Sequence, residues 1–376
     1  MKILIAPDKF KDSLSAKEVC EGIEKGIGIF SKKIKIEKIP LADGGEGSLS
    51  ALENKIPFRK IYVTSANPIF KPIKTYYGIY KNSAFIELAM ASGLQLLNFK
   101  DRNPMFTSSF GTGEVILDAI SKGSKRIYLF IGGSATNDCG IGIASALGYI
   151  FKDKKGNVLK PIGENLININ KIEFTKNKLL SKIKFIVLTD VENVLFGKNG
   201  AAHVYAKQKG ANETDINQLD KGLKNISKVI KNEFNKDISK LKGGGAAGGI
   251  AAGLFAFCNA KIVSGTETIL KLLELDKKIS KADLVITGEG FFDSQTLKGK
   301  IVKGVVDKCN KFNTPVGVIC GDTNLTKKEF EKLNLEFVIP IKSKKITKEE
   351  SMKNANIYLI ERAQSIAKNS KKLKDE

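Results

Sequence analysis

Short apolar runs that empty into loops joining glycine or hydroxyl groups to a carboxylate recur along this chain, and this pattern constrains the fold more than any other feature. The loops read Ala6-Pro7-Asp8-Lys9-Phe10-Lys11-Asp12-Ser13, Ala42-Asp43-Gly44-Gly45-Glu46-Gly47-Ser48, Ile131-Gly132-Gly133-Ser134-Ala135-Thr136-Asn137-Asp138, Leu188-Thr189-Asp190-Val191-Glu192-Asn193 and Ile286-Thr287-Gly288-Glu289-Gly290. Helical patterns alternate with the apolar runs. At the start, Lys2 to Ala6 predicts a strand, and Ser15-Ala16-Lys17-Glu18 predicts a capping box opening a helix with Val19, Ile23 and Ile27 on its buried stripe. Further strands are expected at Ile34–Ile39, Arg126–Ile131, Ile183–Leu188, Ala282–Ile286, Val316–Ile319 and Phe337–Ile339, with helices at Gly111–Ile120 and Asn137–Leu147. Strand and helix in alternation predict an α/β protein with parallel sheets.

At 376 residues the chain is long enough for two domains. Between Phe58 and Leu88 the pattern becomes short alternating strands with turns at Asn67-Pro68 and Lys81-Asn82-Ser83, so a second domain is expected to begin there. The C-terminal strands are expected to rejoin the N-terminal sheet. That makes residues 1–65 plus 283–376 one discontinuous domain and 66–282 an inserted one. No fixed-period repeat is present, and the lysine-rich tail after Ile366 is expected to fray.

Charge and composition remove several function classes. With 62 Lys and Arg against 40 Asp and Glu the net charge is +22, which raises nucleic acid as a partner. Against it, arginine occurs only as Arg59, Arg102, Arg126 and Arg362 and tryptophan is absent, whereas nucleic-acid readers use guanidinium forks and interleaved aromatics. The lysines read as solvated surface whose field also favours small anionic substrates. Five scattered cysteines without a CxxC pair exclude a disulfide framework or zinc finger and fit a reducing cytoplasm, and His203, the single histidine, reads as a polar loop or core residue. The apolar run Ile3–Pro7 is too short for a secretory signal. Residues 243–260 are uncharged over 18 positions, but six glycines make a membrane span a poor reading, and a close-packed helix after a glycine loop is expected.

The strand-end loops carry the chemistry, because ligands of open α/β sheets bind at the carboxyl ends of strands. Gly132, Gly133, Ser134, Thr136 and Asn137, between a strand and a helix, read either as a phosphate cradle or as a tight turn with an N-cap. Carboxylates at other strand ends tilt this toward Mg-nucleotide chemistry. Phosphoryl transfer needs lysines, an acceptor-side carboxylate and a metal carboxylate, and Lys9, Lys11, Asp8, Asp43, Asp190 and Glu289 are of these types. Neither a GxxxxGK[ST] loop nor a protein-kinase set is present, so a kinase here uses another framework. Gly243–Gly248 formally fits G-x-G-x-x-G with Glu267 downstream, the basis of an alternative reading as an NAD-dependent hydroxyacid dehydrogenase; the polar stretch before it offers no strand.

At these loops the chain resembles the bacterial type I glycerate kinases over nearly its whole length. The resemblance is carried by APDKFKDSLSA from Ala6, PLADGGEGS from Pro40, ELAMASGL from Glu87, SSFGTGE from Ser108, IGGSATNDCGIG from Ile131, TDVENVLFGKNGAA from Thr189, GGGAAGGIAAGL from Gly243 and ADLVITGEGFFDSQTLKGK from Ala282. It implies two α/β domains with the active site in a cleft between them, one domain with a flavodoxin-like parallel sheet. It also implies ATP and Mg2+ as cofactors and D-glycerate as substrate, with 2-phosphoglycerate the commoner product. Position by position, Asp190 corresponds to the carboxylate acting on the hydroxyl or on magnesium, with Asp8 second and Lys9 beside it. Lys11, Ser13, Asp43, Glu289, Asp293 and Gln295 correspond to substrate-side polar groups, and Gly132 to Asn137 to the phosphate region. The chain departs from the family pattern at Phe291, where arginine is usual, at Val194 and at Ala206-Lys207; Lys298 or Lys300 is expected to supply the missing charge. A cytoplasmic monomer or homodimer, binding neither nucleic acid nor membrane, completes the expectation.

Overall fold

The computed structural model describes residues 1–30, 33–53, 55–174, 180–293, 301–343 and 346–369. They fall into two compact units, Met1–Asp43 with Ser50–Ile56 and Thr266–Glu376, and Gly44–Leu49 with Pro57–Gly265. Besides the short Gly44–Leu49 segment, the chain passes between the units near residues 57 and 265, against the sequence expectation of 66 and 282.

The first unit is built on five parallel strands in the spatial order Phe337–Pro340, Val316–Cys320, Leu284–Thr287, Lys2–Ile5 and Lys35–Lys38. Within the unit this is the order 2-1-3-4-5, which is the flavodoxin-like arrangement. Runs such as Leu4-Ile5 and Val285-Ile286 are wholly buried, as strands covered on both faces must be. Ile3 pairs with both Ile36 and Leu284. The helix Ala16–Phe30 begins where expected, with Ser15 N donating to Glu18 Oε2 at 2.8 Å and Glu18 N to Ser15 Oγ at 3.3 Å. Its stripe Val19, Ile23 and Ile27 is fully buried, and each such side chain contributes roughly 2 kcal/mol. The opposing helix Ala355–Asn369 comes so close that a Cβ at Gly26 would meet Ala363 Cβ at 2.6 Å.

The main sheet of the second unit has six strands ordered Lys261–Val263, Lys184–Leu188, Arg126–Phe130, Ser83–Glu87, Pro72–Tyr80 and Arg59–Ala66. The first four are mutually parallel, and the last two extend the sheet as antiparallel hairpins, the β-rich excursion expected between Phe58 and Leu88. The helix Glu213–Phe234 buries Leu219, Leu223, Ile226 and Ile230 in a separate cluster with the short hairpin Tyr149–Lys152 and Lys171–Phe174. Among the described residues no helix is long and apolar enough to cross a membrane.

Two expectations change. The helix expected from Asn137 begins only at Ile141 and ends at Ala146, because the buried Asp138 carboxylate accepts from Gly140 N at 3.0 Å and Gly142 N at 3.3 Å, taking the amides at the helix start for itself. The helix Ala246–Cys258 is broken near its beginning, where Ala247, Gly248 and Gly249 have φ of 54°, 69° and 91°. No strand leads into Gly243–Gly248, so the dinucleotide-binding context is missing and the dehydrogenase alternative has no support.

Candidate functional site

In the first unit the strand order reverses between the paired strands Lys2–Ile5 and Leu284–Thr287, the switch point at which doubly wound sheets bind ligands. Asp8 N donates to Gly288 O at 2.8 Å, and Thr287 Oγ1 to Ala6 O at 2.8 Å, which locks the two loops together. Gly290 packs closely on the same loop, where a Cβ would lie 3.0 Å from Lys11 N. Asp8 accepts from Lys9 N at 2.7 Å. Burial pushes its carboxyl up to about 8, and the charges of Asp43 and then Glu289 push the same way. Asp8, Asp43 and Glu289 are therefore brought together, and Asp8 holds a proton near neutrality.

The remaining expected residues of this unit are placed less centrally. Lys11 is exposed, and the Ser13 hydroxyl donates to Met352 O at 2.9 Å, tying its loop to the segment after Thr347. Asp293 is half-buried after the short strand Phe291–Phe292, which pairs with Asp322–Thr323. Phe291 is 46% exposed, so an apolar ring stands in solvent where a cation was usual. Gln295, Lys298 and Lys300 lie outside the described residues.

In the second unit, Arg126–Phe130 and Lys184–Leu188 are adjacent parallel strands, so the 131–140 loop and the Asp190 loop leave the same end of one sheet. Asp190 Oδ1 accepts from Ser264 Oγ at 2.6 Å, Ser264 being the residue after the next strand, Lys261–Val263. The 131–140 loop is held from several sides. Gly132 lies so close to Gly45 that a Cβ would meet its Cα at 2.5 Å, and Gly133 has a φ of 77°. Ala135 N donates to Ser92 O, Leu94 N to Gly133 O, and Cys139 N to Gly248 O. Glu87, 5% exposed, accepts from Gly47 N at 2.9 Å and Leu49 N at 3.2 Å, fixing the neighbouring Asp43–Ser48 turn's second half.

Sequence reasoning missed Lys209. It is 4% exposed, and its Nζ donates to Ser134 Oγ at 2.9 Å and to Thr136 O at 2.7 Å. Burial pulls its ammonium down to about 7 against the opposing pull of Asp138. Its position in QKGA was visible, but residue type and spacing do not separate it from the many surface lysines. Ser264 and the role of Glu87 were missed for the same reason: both act through contacts between distant strands.

The loop suits an oxyanion. Thr136 Oγ1 and both polar atoms of Asn137 are buried without a hydrogen-bond partner, a state that ordered water or a ligand normally relieves. Together with the Ser134 hydroxyl and the buried cation behind it, the donor set fits a phosphoryl group better than an apolar ligand. For a divalent cation, no group of three or more His, Cys, Asp or Glu among the described residues could hold the ion. Asp190, at a strand end, is the single hard-oxygen ligand that a magnesium ion carried on nucleotide phosphates would take up.

Comparison with known proteins agrees with this framework. The glycerate kinase family model matches residues 3–371. A glycerate kinase of Bacillus cereus is 40% identical over 370 residues, 98% of this chain and 97% of the relative. A glycerate 2-kinase of Escherichia coli K12 is 40% identical over 324 residues, 85% of each chain. The crystal structure of a protein assigned as glycerate kinase 2 from Salmonella typhimurium LT2 superposes with a TM-score of 0.84 at 38% identity, covering 100% of both chains. With the family model and these relatives matching over nearly the whole chain, this chain belongs to the glycerate kinase family.

Proposed function

We propose that the chain transfers the γ-phosphoryl group of ATP to the 2-hydroxyl of D-glycerate in the cytoplasm, with Mg2+ as the accompanying ion. The observation that carries this reading is the pairing, on adjacent strands of one sheet, of the 132–137 loop with its unpartnered Thr136 and Asn137 and of the Asp190 carboxylate oriented by Ser264. The name of the E. coli relative, a glycerate 2-kinase, supports the choice of hydroxyl.

In this account the hydroxyl oxygen attacks the γ-phosphorus, the bond to the ADP oxygen breaks, and the hydroxyl proton passes to a carboxylate. Asp190 is that carboxylate or the one that meets the metal, whereas Asp8 carries a proton near neutrality and donates a hydrogen bond instead. The main chain at Gly132 and Gly133, the hydroxyls of Ser134 and Thr136 and the carboxamide of Asn137 hold phosphoryl oxygens, and Lys9 supplies positive charge. Lys11, Asp43, Glu289 and Asp293 are the substrate-side polar groups. Magnesium, when bound with the nucleotide, neutralises phosphate charge and aligns the transferring group.

The test is ADP release from ATP and Mg2+ in the presence of D-glycerate, L-glycerate, glycolate or lactate. Release strongest with D-glycerate supports the reading; release indifferent to the acid contradicts it.

A further inference from the structure

We propose that Lys209 is a positioning residue that couples phosphate binding at the 132–137 loop to uptake of a proton, an inference that rests on the reading of this loop as the nucleotide-phosphate site. A protonated lysine has three donors and no acceptor, so Ser134 Oγ, 2.9 Å from Nζ, can only accept from it. The Ser134 proton is then turned away from Lys209 and presented elsewhere. The next residues along the loop present Thr136 Oγ1 and Asn137 Nδ2, buried and without a protein partner. Ser134, Thr136 and Asn137 thus form a run of donors with a buried cation behind it. That is a donor set for phosphoryl oxygens.

Neutral Lys209 reverses this arrangement. An amine has a lone pair that accepts from the Ser134 hydroxyl, drawing its proton inward and leaving an oxygen lone pair toward the ligand. Both forms matter because burial brings the ammonium down to about 7. The charged group acting on it is Asp138, which is already held by Ser109 N and Oγ and by the amides of Gly140 and Gly142. Lys207 on the same turn is exposed, and Arg102 packs against Gly210 just beyond. A phosphate arriving beside the loop favours the charged form, so a lysine that is mostly neutral at pH 8 takes up a proton on binding.

The experiment is calorimetric titration of the full chain with ADP at pH 8 in two buffers of different ionisation enthalpy, repeated from pH 7 to 9. For the wild type we expect uptake approaching about one proton at pH 8 and affinity that falls up to about tenfold per pH unit above neutrality. Lys209→Met should lose the uptake and the slope. Lys209→Arg, whose charge does not titrate, should lose the uptake while keeping affinity above that of the Met variant. Thermal unfolding of each variant checks the fold, and Ser134→Ala, which removes the reversible bond without touching the lysine, should flatten the slope if Lys209→Met does not fold. Binding without proton uptake by the wild type overturns the proposal alone. Uptake that persists in Lys209→Met belongs to another group, such as Asp8, and overturns it too. A folded wild type that does not bind ADP overturns the nucleotide reading and the proposal with it.

Discussion

The hydroxyl of Ser264 donates to Asp190 Oδ1 across 2.6 Å, joining the ends of two neighbouring parallel strands, Lys184–Leu188 and Lys261–Val263. This bond helps to orient the carboxylate. Replacing the carboxylate removes the group itself, so Asp190→Asn should lower kcat by about 100-fold or more. Ser264→Ala keeps the carboxylate and loses only its alignment, so kcat should fall about tenfold with KM for glycerate nearly unchanged. Steady-state kinetics separate the two, and equal losses would place Ser264 in direct contact with substrate.

Gly248 is packed against Thr136 O, and a Cβ there would also lie 2.5 Å from Asn137 Cα, at a φ of 69°. Gly248→Ala therefore pushes the oxyanion loop out of place and strains its own backbone. We expect a loss of about 2 kcal/mol or more in stability and weakened nucleotide binding. By contrast, Ala247→Gly, at a φ of 54°, relieves left-handed strain and should leave stability unchanged or slightly raised. Denaturant unfolding of both variants checks the pair.

Glu87→Ala should destabilise the protein by about 2 kcal/mol or more, because it leaves the amides of Gly47 and Leu49 without their acceptor. Glu87→Gln retains one carbonyl oxygen and should recover part of the loss. Thermal unfolding measures both.

The raised carboxyl of Asp8 makes stability depend on pH in a defined direction. Its folded-state value of about 8 exceeds that of the unfolded chain, so the folded form binds the extra proton, and stability from this residue falls as pH rises from about 4 to 8. Asp8→Asn removes that penalty. The variant should melt several degrees above the wild type at pH 8, with the difference vanishing at pH 4. A melting difference independent of pH would show that Asp8 is ionised in the folded protein.

Much of the fold was readable because its signals are local. The capping box at Ser15 and Glu18, the buried stripe of Val19, Ile23 and Ile27, and the apolar strands around Ile3 and Val285 need only neighbours in sequence to be recognised. The helix start at Ile141 was misplaced because Asp138 turns its carboxylate onto Gly140 and Gly142, a choice that depends on its burial beneath Ser109. The strand-end residues Asp8, Asp43, Glu289 and Asp190 were legible from their loops. Lys209 was not, since its importance comes from being enclosed with Ser134 and Thr136, residues more than seventy positions away. Ser13 shows the converse: a residue of the right type in the right loop whose hydroxyl is committed to Met352.

The most direct test is phosphorus NMR of the products formed from ATP, Mg2+ and D-glycerate by the wild type and by Asp190→Ala. The account predicts ADP together with a 2-phosphoglycerate resonance, no ADP when glycerate is omitted, and loss of both signals in the variant. A phosphorus resonance from the 3-phosphate, or wild-type turnover in Asp190→Ala, would contradict it.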